Sequence, residues 1–594
     1  MKVIDIDLTT RRLFRLLERR GQRTVRRAQA RCYDVLKRSL EGITVPSLLE
    51  KDDATSCLDD YMQNIEAELA SILRRHGAYE FLLLHRRLPL NFLKDKLFHR
   101  GSLRVIERLT TLSILKYAQR SLVNTRKVFD DRSKRIQMAI DASARDLEDL
   151  ISVSLLSKDY YLCSTTKRTL WKGASLRLER DAYPEALMGD RLAQLVGTYD
   201  DRLDNERSLF DEVGLFQNNL KLERATGDLF IFGATEAEEP TRPIELIWDS
   251  EKVLLPPPNF LPGIVQTERF KIYLKLFESA IEDTYGVTSD EVGSLLDRLT
   301  LWMLQHFKEE ALMRLYQYSQ RGLAISILSR FEESCATSIR VGNRTYDPVE
   351  PAQFFRLFGL EKNDRIDLET TYPYKSIYTF RDDDIIIVDL LSNPGMLTGF
   401  ILSAQLSDTE KNIKSATIED EVWSYLSDVP GISQPFPVRK IFRKDERDIA
   451  QVDVTVGKGG ILFLIECKAY SQNRMLVLGE THAVRNRWKT VLDWIEESKT
   501  KTKRIAAYPA GDNYSIPVAF SYVVPLVTTP FPEFFFDLGE DLTLDGKTPI
   551  VCTPSELKRY LASFSVEQLT RKSYVQPIRG TRVRGAENDI ELEL

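Results

Sequence analysis

The stretch VDVTVGKGGILFLIECK, residues 452–468, constrains the fold of this chain more than any other. Two runs rich in β-branched residues flank a glycine-rich link, the pattern of an antiparallel hairpin. The second run, ILFLI, is apolar enough to lie in the middle of a sheet, yet it is followed at once by charge at Glu466 and Lys468. Ionised groups at the end of a buried strand are costly unless they pair with each other or with an ion. Side chains alternate between the two faces of a strand, so Leu464, Glu466 and Lys468 share one face and Cys467 points to the other. If the link is the four residues Gly457–Gly460, Val456 faces Ile461 and Asp453 lies opposite Leu464. Asp453 and Glu466 are then diagonal neighbours, about 7–8 Å apart, within reach of a shared cation. A slip of one residue would turn Asp453 to the opposite face.

Two carboxylates and a lysine at one end of a sheet suit phosphodiester hydrolysis. Mg²⁺ prefers oxygen ligands, keeps several waters and bridges to phosphate. It polarises a phosphoryl oxygen and lowers the pKa of a water, while a lysine can orient that water or offset charge on the phosphate. The neighbouring sequence supplies a setting. SATIEDEVWSYLSDV reads as a short amphipathic helix, PVRKIFRK as a strand, and IAQVDVTV as one continuous strand. GETHAVRNRWKTVLDWIEESK reads as a helix, VAFSYVVPLV and PIVC as strands, and TPSELKRYLASF as a helix. Thr553, Pro554 and Glu556 give that last helix a capping-box start. Strands alternating with helices predict a mixed α/β sheet flanked by helices.

VDVTV followed by LFLIECK resembles the D…ExK core of the PD-(D/E)xK, or restriction-endonuclease-like, nuclease superfamily, over roughly residues 411–575. The resemblance implies that Asp453 and Glu466 are metal ligands, that the backbone carbonyl of Cys467 is a further ligand, and that Lys468 is the catalytic lysine. It also implies a glutamate from the preceding helix. IEDEVWSYL offers Glu419, with Val422, Tyr425 and Leu426 in step, and Glu421 as the competing choice. Where the superfamily's name carries proline, this chain has Val452. The implied cofactor is Mg²⁺ or Mn²⁺, and the implied activity is endonucleolytic hydrolysis of DNA rather than RNA, with a role in bacterial defence against foreign DNA. The alternative is a catalytically inactive nucleic-acid-binding or scaffold protein that keeps the fold.

Residues that could hold the nucleic acid are Arg439, Lys440, Arg443 and Lys444 on the strand before Asp453, and His482, Arg485 and Lys489 on one face of the following helix. That helix buries Val484, Trp488, Val491, Leu492 and Ile495 on the other face. A solvated edge strand and a solvated helix face explain the same residues without a ligand. Near the N-terminus, Arg11, Arg12, Arg15, Arg19, Arg20, Arg23, Arg26, Arg27 and Arg31 fit a nucleic-acid footprint, a solvated helix face or a contact with an acidic partner. With a net charge of −5, attraction to nucleic acid must come from such local patches.

The 594 residues allow several domains. Residues 1–233 read as a helical region, 234–263 as a proline-rich linker, 264–345 as a second helical region and 346–410 as a β-rich connector. Residues 411–575 form the nuclease-like domain and 576–594 a tail. The fold class expected is thus multidomain, a mainly helical N-terminal region followed by a restriction-endonuclease-like mixed sheet. The helical region would regulate the nuclease, as a homo-oligomer or through a protein partner. Six scattered cysteines without a CxxC pair fit a reducing compartment. No apolar stretch reads as a signal peptide or membrane span, so a cytoplasmic protein is expected.

Overall fold

The computed structural model describes residues 8–88, 103–119, 126–130, 135–139, 142–179, 182–211, 213–215, 230–236, 244–248, 251–255, 260–266, 268–308, 322–341, 344–359, 366–369, 379–382, 385–391, 400, 415–469, 476, 481–537 and 539–578. The chain divides into two compact units. One comprises residues 1–188 and 208–405, the other residues 189–207 and 406–594.

The first unit is built on long helices. α1 (Leu8–Ser39), α2 (Lys51–Leu73), α3 (Ala78–His85) and α4 (Leu103–Tyr117) precede α5 (Ala144–Trp171), against which α1, α2 and α4 pack. On α1, Val25, Ala28, Cys32, Val35 and Leu36 are buried at three- and four-residue spacing, the stripe a core-facing helix requires. α5 starts at a capping box in which Ser143 and Asp146 exchange hydrogen bonds. Arg31 Nε donates to Glu68 at 2.6 Å and His76 pairs with buried Asp149 at 2.9 Å, so polar staples cross the helix seams. Arg86, itself buried, bonds buried Asp389 at 3.0 Å. Asp389 ends the strand Ile385–Asp389, which pairs with Thr379–Asp382 and Leu323–Ile327.

Two boundaries differ from the sequence reading. The stretch read as a linker forms strands instead: Phe230–Glu236 pairs with Phe260–Gln266, and Ile244–Trp248 with Glu251–Leu255. Proline did not prevent this: Pro262 pairs with Ala234 and, among the described residues, lies outside the part of its strand paired to Val213–Leu215. Leu323–Ile327, read as the end of a helix, is a strand, because Ile385–Asp389 offers its alternating residues a partner. Within the β-rich connector, GFILSAQL (residues 399–406), which reads as a strand, lies outside the described residues apart from Phe400.

The second unit begins with the first part of α6 (Asp190–Asp211). It continues with α7 (Ser415–Ser427), β1 (Lys440–Lys444), β2 (Arg447–Val452), β3 (Val454–Lys458), β4 (Ile461–Cys467), α8 (Thr481–Ala507), β5 (Tyr522–Thr528), β6 (Val551–Cys552), α9 (Pro554–Ser563), α10 (Val566–Thr570) and β7 (Gln576–Pro577). β3, β4, β5 and β6 form one sheet in that order, with β7 also on β5. β3 runs antiparallel to β4, whereas β4, β5 and β6 are parallel, so the sheet is mixed. The stretch read as a tail thus contributes a short strand before the described residues end at 578.

Leu462 and Leu464 of β4 pack in one buried cluster with Ile505 and Ala506 of α8 and with Phe442, Val452 and Val523. On the opposite face, Phe463 meets Phe564 edge-on at 5.4 Å. α7 lies against β3, β4 and α9. α9 starts as expected, with Thr553 and Glu556 completing a capping box.

Candidate active site

The continuous strand expected for IAQVDVTV is broken at Asp453. β2 ends at Val452 and pairs with β1, while β3 begins at Val454 and pairs with β4. Asp453 is therefore the joint between two ladders. Its carbonyl accepts the Arg439 N–H at 2.8 Å, and its Oδ2 accepts the Cys467 N–H at 2.8 Å. The peptide is tied on one side and the carboxylate on the other.

The register also differs. Lys458 faces Ile461 and Val456 faces Phe463, because the turn is the two residues Gly459 and Gly460. Both have positive φ, +58° and +77°, which a tight type I′ hairpin demands and glycine supplies without strain. Gly457 and Lys458 thereby join the strand. A side chain at Gly457 would collide with Phe520 and Ser433, so that glycine serves close packing rather than the turn. The ladder has slid by two residues from the expected pairing. An even slide preserves the face, and carrying this register one step past Val454–Ile465 puts Asp453 opposite Glu466 instead of diagonal to it.

Glu466 is buried, and so is Glu419 of α7. Glu421, the competing choice, is half-buried. Burial pushes Glu466 up to about 7, and the charge of Asp453 adds to the rise against the pull of Lys501 and Lys468. Glu419 is likewise pushed up to about 7, by burial first and by Asp453 next, with Arg439 opposing. Burial raises Asp453 as well, resisted by the Cys467 N–H and by Lys501 and Lys468. The three carboxyls thus feel one another, and each would ionise more readily if a cation joined them. Burial and the same acids push the Cys467 thiol well up, so its side chain is an inert wall.

Two residues of this cluster escaped the sequence reading. Lys501, five turns along α8 from His482, donates to Glu466 Oε2 at 2.6 Å. Glu497, one turn before it, lies 2.9 Å from Lys501 and 3.2 Å from Lys468. Lys468 completes the ring at 3.8 Å from Glu466. Burial would raise Glu497, but its bonds to Lys501 and the lysine charges hold it below the usual range. The stretch read as a helix ends at Lys499, two residues short of Lys501, whereas α8 runs on to Ala507 and sets Glu497 and Lys501 one turn apart. Nothing local marked that pair as facing Glu466.

The basic residues are partly committed elsewhere. Arg439 contacts Glu419 Oε2 at 2.8 Å and also bonds Asp420. Lys440 donates to the Asn513 carbonyl at 2.7 Å, Arg443 pairs with Asp448 at 2.8 Å, and Lys444 stands 4.1 Å over the Tyr508 ring. His482, Arg485 and Lys489 are exposed on α8, and His482 shares a hydrogen bond with Asn486. At 1.5 Å per residue they lie roughly 18–28 Å along the helix from Lys501, so they do not converge on the carboxylates. The buried stripe of α8 includes Val484, Val491 and Ile495 as expected, and adds Trp494 and the ion-paired Arg487, which bonds Glu533.

Among the described residues no group of three metal-binding side chains is close enough to enclose an ion. The donor chemistry nevertheless fits a hard divalent cation: three buried or half-buried carboxyls, each raised by burial. Glu419 Oε2 is buried and accepts no hydrogen bond, since the nearby Arg439 N–H is not aimed at it. Comparison with family models, with curated proteins and with solved structures gives no match to the chain.

Proposed function

We propose that the second unit is a metal-dependent nuclease of the PD-(D/E)xK type acting on DNA. One observation carries this reading: a hairpin sets Asp453 opposite Glu466, with Lys468 two residues on and Glu419 brought to the same carboxylates from α7. The mixed sheet with helices against it is compatible with the superfamily's fold.

Asp453, Glu466 and Glu419 would hold Mg²⁺ or Mn²⁺, with the Cys467 carbonyl as a further donor. The bound ion would supply charge stabilisation on the phosphate and a water of lowered pKa. Lys468 would offset charge developing on the phosphoryl oxygens or orient the water. Lys501 opposes the rise of Glu466 and aims its carboxyl, while Glu497 fixes both ammonium groups. Arg439, set against Glu419 and Asp420, would exchange an acid for a phosphate when substrate arrives. A role in defence against foreign DNA rests on the family resemblance alone.

A second reading is favoured by one feature. Glu466 is already paired with Lys501, and among the described residues no three-ligand group is formed in advance. A binding or scaffold protein that has lost cleavage would keep such an arrangement. Incubating the full chain with plasmid, linear DNA and RNA in Mg²⁺, Mn²⁺ or EDTA separates the two. The nuclease reading expects metal-dependent DNA cleavage that falls at least about 100-fold in Asp453→Ala and in Lys468→Ala. Cleavage that survives both substitutions, or a wild-type chain inert with either metal, would sink it.

A further inference from the structure

We infer that the outer face of α1 is a docking surface for duplex DNA, distinct from the carboxylate site and independent of whether that site cleaves. Arg15, Arg19, Arg23 and Arg26 are all exposed. Their steps of four, four and three residues put them on one stripe, within roughly 80° of arc. The stripe lies opposite the buried line of Val25, Ala28, Cys32 and Val35. Arg20 and Arg27 are exposed beside it.

These side chains differ from the arginines further along the helix. Arg31 and Arg38 are tied to Glu68. Arg27 reaches Glu148 at 3.4 Å. Among the described residues no ion pair involves Arg15, Arg19, Arg23 or Arg26. Glu18 is the sole acid between residues 9 and 33. A chain of net charge −5 therefore concentrates positive charge on one helix face, where Arg15, Arg19, Arg23 and Arg26 have no ion-pair partner among the described residues. A polyanion relieves the self-repulsion along such a stripe, and guanidinium forks match phosphate oxygens.

The geometry favours duplex DNA among polyanions. The stripe runs about 16 Å, close to five base-pair rises, and a helix of 10–12 Å diameter suits the roughly 12 Å-wide major groove and its flanking phosphates. The major groove of A-form RNA is too narrow to admit it. Between residues 15 and 31 the exposed positions carry no large apolar side chain, so the face lacks the wedge an amphipathic helix uses to enter a lipid surface.

The test uses the full chain in EDTA, so that cleavage plays no part, and a labelled DNA duplex followed by fluorescence anisotropy over a salt series. Substituting Arg19→Ala, Arg23→Ala and Arg26→Ala together should weaken binding at low salt by roughly 10- to 100-fold. It should also reduce the slope of log K against log salt by about 2–3, near 0.9 per lost phosphate contact. Lysine at the same three positions should keep most of the slope. Circular dichroism checks that the triple variant stays helical, as alanine in α1 favours. An unchanged slope in a folded triple variant overturns the proposal. So does arginine-dependent binding of phosphatidylserine vesicles, of polyglutamate or of duplex RNA at strength equal to DNA.

Discussion

Lys501 Nζ lies 2.6 Å from Glu466 Oε2 across 35 residues of sequence, and Glu497 joins Lys501 to Lys468. The charged end of β4 is therefore paired, but its acids outnumber its bases. Glu419, Asp453, Glu466 and Glu497 face Lys468, Lys501 and Arg439. Burial is what lifts Glu419, Asp453 and Glu466, with neighbouring acids adding to the rise of Glu419 and Glu466, while the lysines hold Glu497 down.

Removing Lys501 should expose how far Glu466 depends on it. In Lys501→Met, Glu466 is left buried without its closest counter-ion, and urea unfolding in EDTA should show a loss of about 1–3 kcal/mol at pH 8. The loss should shrink at pH 5, where Glu466 is protonated in either protein. Adding Glu466→Gln to Lys501→Met should recover much of the difference. Strictly additive single substitutions would show that the two groups are not coupled.

The raised carboxyls predict an inverted pH dependence for the second unit. Glu419 and Glu466 titrate near 7 when folded against a reference of 4.5, so between those values the folded state holds more protons than the unfolded one. Stability contributed by these groups therefore falls as pH rises from about 4.5 to about 7. The melting transition of the second unit in EDTA should rise on acidification from pH 8 to pH 5.5, and Glu466→Gln should flatten that slope. A divalent cation competes with the same protons, so stabilisation by Mg²⁺ should be larger at pH 8 than at pH 5.5. Mg²⁺ stabilisation that is equal at both pH values would show that these carboxyls do not bind it.

Much of this site was legible because its parts repeat with short periods. Alternation along β4 put Glu466 with Leu464, and the hairpin with its glycines brought Asp453 to the same face. The error in register was even, and for that reason harmless to the face. The pairing itself turned on which glycines bend, a matter of Gly459 and Gly460 having room at positive φ while Gly457 is hemmed in by Phe520. Lys501 was not legible. The helix as read stopped at Lys499, and the position of Lys501 against Glu466 depends on how α8 docks on β4 and β5, a tertiary fact with no local signature. The strands at 230–266 were hidden by proline, which reads as a break unless the neighbouring strand is known.

Arg439 offers a test of local strain. It is not glycine, yet its φ is +61°, and it turns the chain into β1 while contacting Glu419 and Asp420. Left-handed backbone costs a non-glycine residue roughly 1–2 kcal/mol. Arg439→Ala loses the ion contacts and keeps the strain, whereas Arg439→Gly loses both. Arg439→Gly should therefore unfold at higher urea than Arg439→Ala, by about 1 kcal/mol. In both variants the pH above which Glu419 ionises should move upward, because its opposing charge is gone. Equal stability of the two variants would mean that the backbone at 439 relaxes when arginine leaves.

Arg202 shows why residues 189–207 belong with the second unit although residues 208–405 separate them from the rest of it. It is buried, its Nε and Nη2 bond Glu556 at 2.6 and 3.0 Å, and its Nη1 bonds the Glu533 carbonyl at 2.9 Å. Glu556 is also the capping residue of α9 and accepts the Thr553 N–H at 2.9 Å. Tyr199, one turn earlier, meets Phe534 edge-on at 5.4 Å. Arg202→Met would strand a buried carboxylate at the start of α9, a defect worth about 3–5 kcal/mol. Hydrogen exchange on the full-length variant should speed up over residues 551–563 while the amides of α2 and α5 keep their protection. Arg202→Lys should rescue little, since a single ammonium cannot span Glu556 and the Glu533 carbonyl together. If Arg202→Met left exchange at 551–563 unchanged, α6 would be a passive neighbour of this unit and not one of its structural elements.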